Sequence, residues 1–129
     1  MLTGWTRPGE SNAIGLVAAT DNPSFLAVAP NNRFLYAVNE LKKFEDKSTG
    51  AVGAFAIDHK TGKLKLLQQV SSLGGGPAHP SVDKTGRYLL VANYDGGSVA
   101  VSPVEPDGRT RPPRTSRSPK PYFVTASPR

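Results

Sequence analysis

Few side chains in this sequence combine a usable chemistry with a telling position. His79 follows the glycine run 74–76 and opens an apolar stretch. An imidazole titrates close to neutral pH, so it can exchange a proton where a lysine or a carboxylate cannot. Asn39 and Asn93 each close a run of apolar residues, and the residue after each differs, Glu40 in one case and Tyr94 in the other. Amide, carboxylate, phenol and imidazole are groups that grip hydroxyls and carbonyls, which makes His79, Tyr94, Glu40 and Asn39 the substrate-binding candidates. His59 and His79 stand alone, with no second ligand at strand or helical spacing, so neither a metal nor another cofactor is expected. The catalytic residues are left unassigned.

A repeat sets these positions. Residues 22–40 (NPSFLAVAPNNRFLYAVNE) and 76–94 (GPAHPSVDKTGRYLLVANY) are copies 54 positions apart, with Pro23 on Pro77, Val28 on Val82, Arg33 on Arg87 and Asn39 on Asn93. His79 falls on Phe25, so folding does not demand a polar group there; the structural alternative is a histidine bonding between neighbouring repeats. Recurrence of asparagine at positions 39 and 93 favours a structural role, an amide bonding a nearby backbone turn. Glu40 and Tyr94 mark a site where the copies diverge, as a function grafted onto a repeat would, although both also suit a solvated rim. Asp58 and Asp107 lie in turns. Lys42, Lys43 and Lys47 share a mixed-charge loop with Glu45 and Asp46 that reads as solvated surface.

The elements around these residues are short strands. Each copy runs from a first strand (24–29; 78–82) through a polar turn to a second (34–38; 88–93), then to a third (51–57; 98–104). Asparagine or glycine in the turns provides the positive φ that tight hairpins need. The first copy adds a fourth, alternating strand over 64–71, and Ile14–Ala19 reads as the last strand of a preceding unit. Four strands per unit with a period near 50 describe a β-propeller blade. The fold class is therefore all-β, about two four-stranded blades of a larger radial array. Residues 1–13 form an N-terminal extension and 14–108 the blades. Beyond Gly108 the apolar pattern stops, and 109–129, with Pro112-Pro113 and no acid, are expected to be disordered or foreign to the fold, as after an altered reading frame.

Composition agrees. Thirteen glycines and twelve prolines in 129 residues indicate many turns. The net charge of +6 would hint at nucleic acid, yet residues 1–108 hold ten basic and ten acidic side chains. The excess sits in Arg109, Arg111, Arg114, Arg117, Lys120 and Arg129, and it comes without the aromatic platform that stacks bases, apart from Tyr122-Phe123. No specific nucleic-acid partner is expected. No membrane partner is expected either: there is no apolar run long enough to span a bilayer, and the first ten residues lack a signal-like core. With no cysteine the redox compartment is unmarked, and the cytoplasm is the default location.

The ordered combination LYAVNE (35–40), GPAH (76–79) and VANYDGGSVAV (91–101) resembles consecutive blades of the lactonase-type seven-bladed β-propellers, the 6-phosphogluconolactonase-like family. The resemblance covers about residues 14–108. It implies a hydrolase that opens 6-phosphoglucono-1,5-lactone to 6-phosphogluconate in the pentose phosphate pathway, with a sugar lactone as partner. Such a reaction needs a base for water, donors at the developing oxyanion and a cationic clamp for the phosphate. The family's His- and Arg-bearing segments of later blades have no counterpart here, so a fragment of about two blades is expected to be inactive. It is also expected to self-associate through exposed blade edges. A non-catalytic propeller scaffold is the alternative, although no Gly-His…Trp-Asp signature is present. Two departures stand out. Pro80 is expected to cost the inner strand a hydrogen bond or force a bulge, and Ser102, on the position of Phe55, is expected to cost packing.

Overall fold

The computed structural model describes residues 15–117, and all of its regular structure is strand. β1 (Pro23–Val28), β2 (Phe34–Asn39), β3 (Ala51–Ile57) and β4 (Leu64–Ser71) form one sheet in the order β1-β2-β3-β4. β5 (Pro77–Val82), β6 (Tyr88–Asn93), β7 (Ser98–Pro103) and β8 (Arg114–Arg117) form the second in the order β5-β6-β7-β8. Every neighbouring pair is antiparallel, so each sheet is a plain meander. The N-terminal extension, the end of the basic tail and the Tyr122-Phe123 pair lie outside the described residues. Among the described residues no helix is long and apolar enough to cross a membrane.

Side-chain alternation decides how the sheets meet. In the first sheet Phe34, Tyr36 and Val38 pair with Ala56, Ala54 and Val52, and these share one face. In the second, Leu89 and Val91 pair with Ser102 and Ala100 on one face. The two faces close on each other to make the apolar core of the described residues. The faces are not equivalent: Leu89 corresponds to Leu35, which lies on the reverse side of the first sheet. The sheets thus stack front to back, as successive blades do. The opposite face of the second sheet, with Tyr88, Leu90 and Val99, stays exposed.

Local details hold this stack. Tyr36 is fully buried, and its hydroxyl donates to the Gly108 carbonyl at 2.8 Å, joining the first sheet to the β7–β8 turn. Gly108 has φ +91°, and any Cβ there would run into the Phe34 ring, so only glycine fits. Burial, reinforced by the charge of Asp107, pushes the Tyr36 phenol up to about 12. Asp58, Asp83 and Asp107 sit in turns and accept backbone N–H bonds. For Asp58 and Asp107 these bonds, and for Asp83 first the Thr85 hydroxyl, hold the carboxyls below their ordinary range.

Four sequence expectations change. Arg114–Arg117, placed outside the blades above, supplies the fourth strand of the second sheet, with Ala100 opposite Thr115 and Val101 opposite Arg114. Backbone hydrogen bonds carry that pairing, so a polar segment can join it. Pro80 is not the origin of a bulge: it is in register with Val91, fully buried, and lies on an edge strand where one side of the backbone needs no donor. The irregularity falls between Pro77 and His79, and the first sheet has the same one between Pro23 and Phe25. Ser102 points into the layer between the sheets, buried, on the side opposite the bulky Phe34 and Tyr36, where a second large ring is not required. Finally, residues 15–20 form no strand; they meet the first sheet through a backbone bond, from Leu64 N–H to the Val17 carbonyl, and through Thr20 Oγ1, which accepts from the Asn39 amide.

Candidate functional site

The four candidate residues gather at the end of the sheets that carries the β2–β3 and β6–β7 connections, and the same construction appears twice. The residue before each inner-strand proline is left-handed, Asn22 at φ 43° and Gly76 at φ 59°. Its carbonyl accepts from the backbone N–H that follows the second strand, Glu40 in one blade (3.1 Å) and Tyr94 in the other (2.9 Å). Asn22 Nδ2 adds a bond to the Glu40 carbonyl at 2.8 Å. Each inner strand then bulges by one residue, and the next side chain is Phe25 or His79. A bulge is a common device for re-aiming a side chain.

The two re-aimed rings meet. Phe25 and His79 stack with centroids 4.5 Å apart at 44°, because β1 and β5 lie side by side as the inner strands of adjacent blades. Phe25 fixes one side of the imidazole, and His79 remains exposed on the other. Among the described residues no group hydrogen-bonds to its ring nitrogens. Such an imidazole can present a donor or an acceptor to a ligand, but it lacks the orienting partner of an acid–base pair. Tyr94 is 74% exposed on the rim, and Glu40 is exposed at the matching position.

Asn39 is placed differently. It is fully buried, with Nδ2 donating to Thr20 Oγ1 (2.8 Å) and the Asp21 carbonyl (2.6 Å), while Oδ1 accepts from Gln69 Nε2 (3.1 Å). All of its hydrogen-bonding groups are engaged in tying the approach segment to the sheet. Asn93 repeats only the donor half of this in the second blade, its Nδ2 donating to the Ser72 carbonyl (2.9 Å) and to Ser98 Oγ (3.2 Å), while its Oδ1 has no partner among the described residues. Phe25, as the support of His79, was missed from the sequence; the repeat alignment that equates the two positions could have found it.

The larger cavity, about 680 Å³, opens at the other end, between the β1–β2, β5–β6 and β7–β8 turns. Its lip carries Arg111 and Glu105, which are bound to each other, and it is remote in the topology from His79 and Tyr94.

With this geometry in view, a family model described as "Lactonase, 7-bladed beta-propeller" matches residues 4–121. The chain belongs to this lactonase propeller family. A 6-phosphogluconolactonase of Formosa agariphila is 35% identical over 106 residues, covering 82% of this chain and 29% of the relative. That of Bacillus subtilis is 36% identical over 98 residues, covering 76% and 27%. Among solved structures, a putative 6-phosphogluconolactonase of Bacteroides uniformis superposes with TM-score 0.70 at 37% identity over 78% of this chain and 28% of that one. The periplasmic gluconolactonase of Pseudomonas aeruginosa does so with TM-score 0.68 at 38% identity over 77% and 29%. The chain therefore spans less than a third of the length of the relatives it matches. Their family match also runs through the β8 segment, up to residue 121, in agreement with a complete second sheet.

Proposed function

We propose that the chain contributes two blades to a 6-phosphogluconolactonase-type hydrolase, which opens 6-phosphoglucono-1,5-lactone to 6-phosphogluconate. The identity to relatives of that name, 35% over 106 residues, carries the reading. Ring opening adds water to the lactone carbonyl, passes through a tetrahedral oxyanion and expels the ring oxygen, which takes up a proton. In this scheme His79, steadied by Phe25, contacts the sugar lactone, with Tyr94 and Glu40 on the rim. Asn39 acts by holding the rim in place. The described residues offer no oriented base and no free cationic clamp beside His79, so the chain alone is inactive. We assign it to the cytoplasm, and its exposed blade surfaces to self-association.

The test has two parts. Formation of 6-phosphogluconate, followed in a coupled assay, should be no faster with the purified chain than in buffer; turnover by the chain alone would overturn the inactive reading. Titration with 6-phosphogluconate should shift the His79 ring resonances in an NMR spectrum. A His79 signal that stays put at saturating product removes His79 from the site.

A further inference from the structure

The second sheet lacks the neighbour that the first one has. Phe34, Tyr36 and Val38 on the front of β2 are all buried, whereas their counterparts on β6, Tyr88, Leu90 and Ala92, are all exposed. The inner strand repeats the contrast. Phe25 on β1 has the His79 ring against it, but among the described residues no ring covers the far side of His79. Ser81, one step along the same face of β5, is exposed as well.

In the first blade the cover begins with a single strand. β5 lies against both β1 and β2. Its Pro80 is fully buried there, and its Val82 packs against the core. The sequence carries a third copy of that strand, outside the described residues. Residues 120–128, KPYFVTASP, match 22–30, NPSFLAVAP, with Pro121 on Pro23, Phe123 on Phe25 and Pro128 on Pro30. Against the second copy, Pro121 falls on Pro77, Phe123 on His79, Val124 on Pro80 and Ala126 on Val82. The chain also departs at the right end. β8 ends at Arg117 opposite Ser98, Ser98 is opposite Asn93, and Asn93 is opposite Pro77, where β5 begins.

We propose that residues 121–127 dock along β5 on the front of the second sheet, as β5 docks along β1, and place the Phe123 ring on the free side of His79. Alternation then turns Val124 and Ala126 toward β5, as Pro80 and Val82 turn toward the first sheet. The imidazole is held between two aromatic rings, with the edge that bears its nitrogens left open. One strand is narrower than a sheet, so Leu90 and Val99 stay uncovered. The inference rests on the repeat and on the exposed inner strand, and does not depend on the lactonase reading.

Two measurements on the full chain test it. Nuclear Overhauser effects are expected between the Phe123 ring and the His79 ring protons, and Phe123→Ala should move the His79 ring signals. Ser81→Cys introduces the only thiol, since the chain has no cysteine of its own. Iodoacetamide should alkylate it at least about tenfold faster once Val124→Asp is added, the effect of losing about 1.4 kcal/mol of cover. Missing Overhauser effects, or alkylation rates that Val124→Asp leaves equal, overturn the proposal. A rate that falls with rising protein concentration and ignores Val124→Asp overturns it too, and gives the face to a second copy of the chain.

Discussion

Replacing Tyr36 by phenylalanine removes one oxygen from the seam between the sheets and leaves the apolar packing of the ring in place. The buried Gly108 carbonyl then loses its donor. An unsatisfied buried acceptor costs about 1–3 kcal/mol, and the variant should be less stable than the parent by about 1–2 kcal/mol at pH 7. The pH dependence is the sharper signature. The folded phenol is pushed from 10.0 up to about 12, so between these values the native chain keeps a proton that the unfolded chain has lost. The associated stability is complete below pH 10 and is lost as pH rises toward 12, at up to about 1.4 kcal/mol per pH unit. The phenylalanine variant has no such loss. The two stabilities should converge near pH 11 and cross above it. Urea denaturation followed by far-UV circular dichroism at pH 7, 9, 10.5 and 11.5 measures this directly. Stability curves that run parallel from pH 9 to 11.5 would refute the claim that Tyr36 is buried as a neutral donor.

Asn39→Ala should destabilise the chain by about 3 kcal/mol, since it removes three hydrogen bonds of a fully buried amide at about 1 kcal/mol each, whereas Asn93→Ala, which also gives up an already unfilled oxygen, should cost about half as much; thermal unfolding of the two variants side by side shows the order. Leu90→Lys places a charge in the middle of the exposed face of the second sheet. It should lower the apparent mass in size-exclusion chromatography with light scattering relative to the parent at equal concentration, with unchanged circular dichroism.

The duplicated segments made most of this structure legible. Aligning 22–40 with 76–94 located β1, β2, β5 and β6, and the apolar runs at 51–57 and 98–104 located β3 and β7. β8 was hidden because an outer strand needs only backbone pairing: Arg114–Arg117 carries no apolar alternation, and Pro112-Pro113 just before it reads as a stop. The apolar Ile14–Ala19 has the composition of a strand but, over residues 15–20, finds no ladder to join. At the candidate site the rim positions could be read, because the copies diverge at Glu40 and Tyr94. The burial of Asn39 could be read only as a preference, from its recurrence at Asn93. The unfilled Asn93 oxygen was out of reach, since it depends on pairing Thr115 with Ala100 and hence on the strand that the sequence concealed.

The front-to-back stacking has a consequence for assembly. The reverse face of the first sheet exposes Leu26, Val28 and Leu66, and the front face of the second exposes Tyr88, Leu90 and Val99. The two surfaces differ, so the front of one copy's second sheet meets the back of another's first sheet in a heterologous, head-to-tail contact. Such a series ends only when the rotation from blade to blade closes a ring, and otherwise it runs on as a filament.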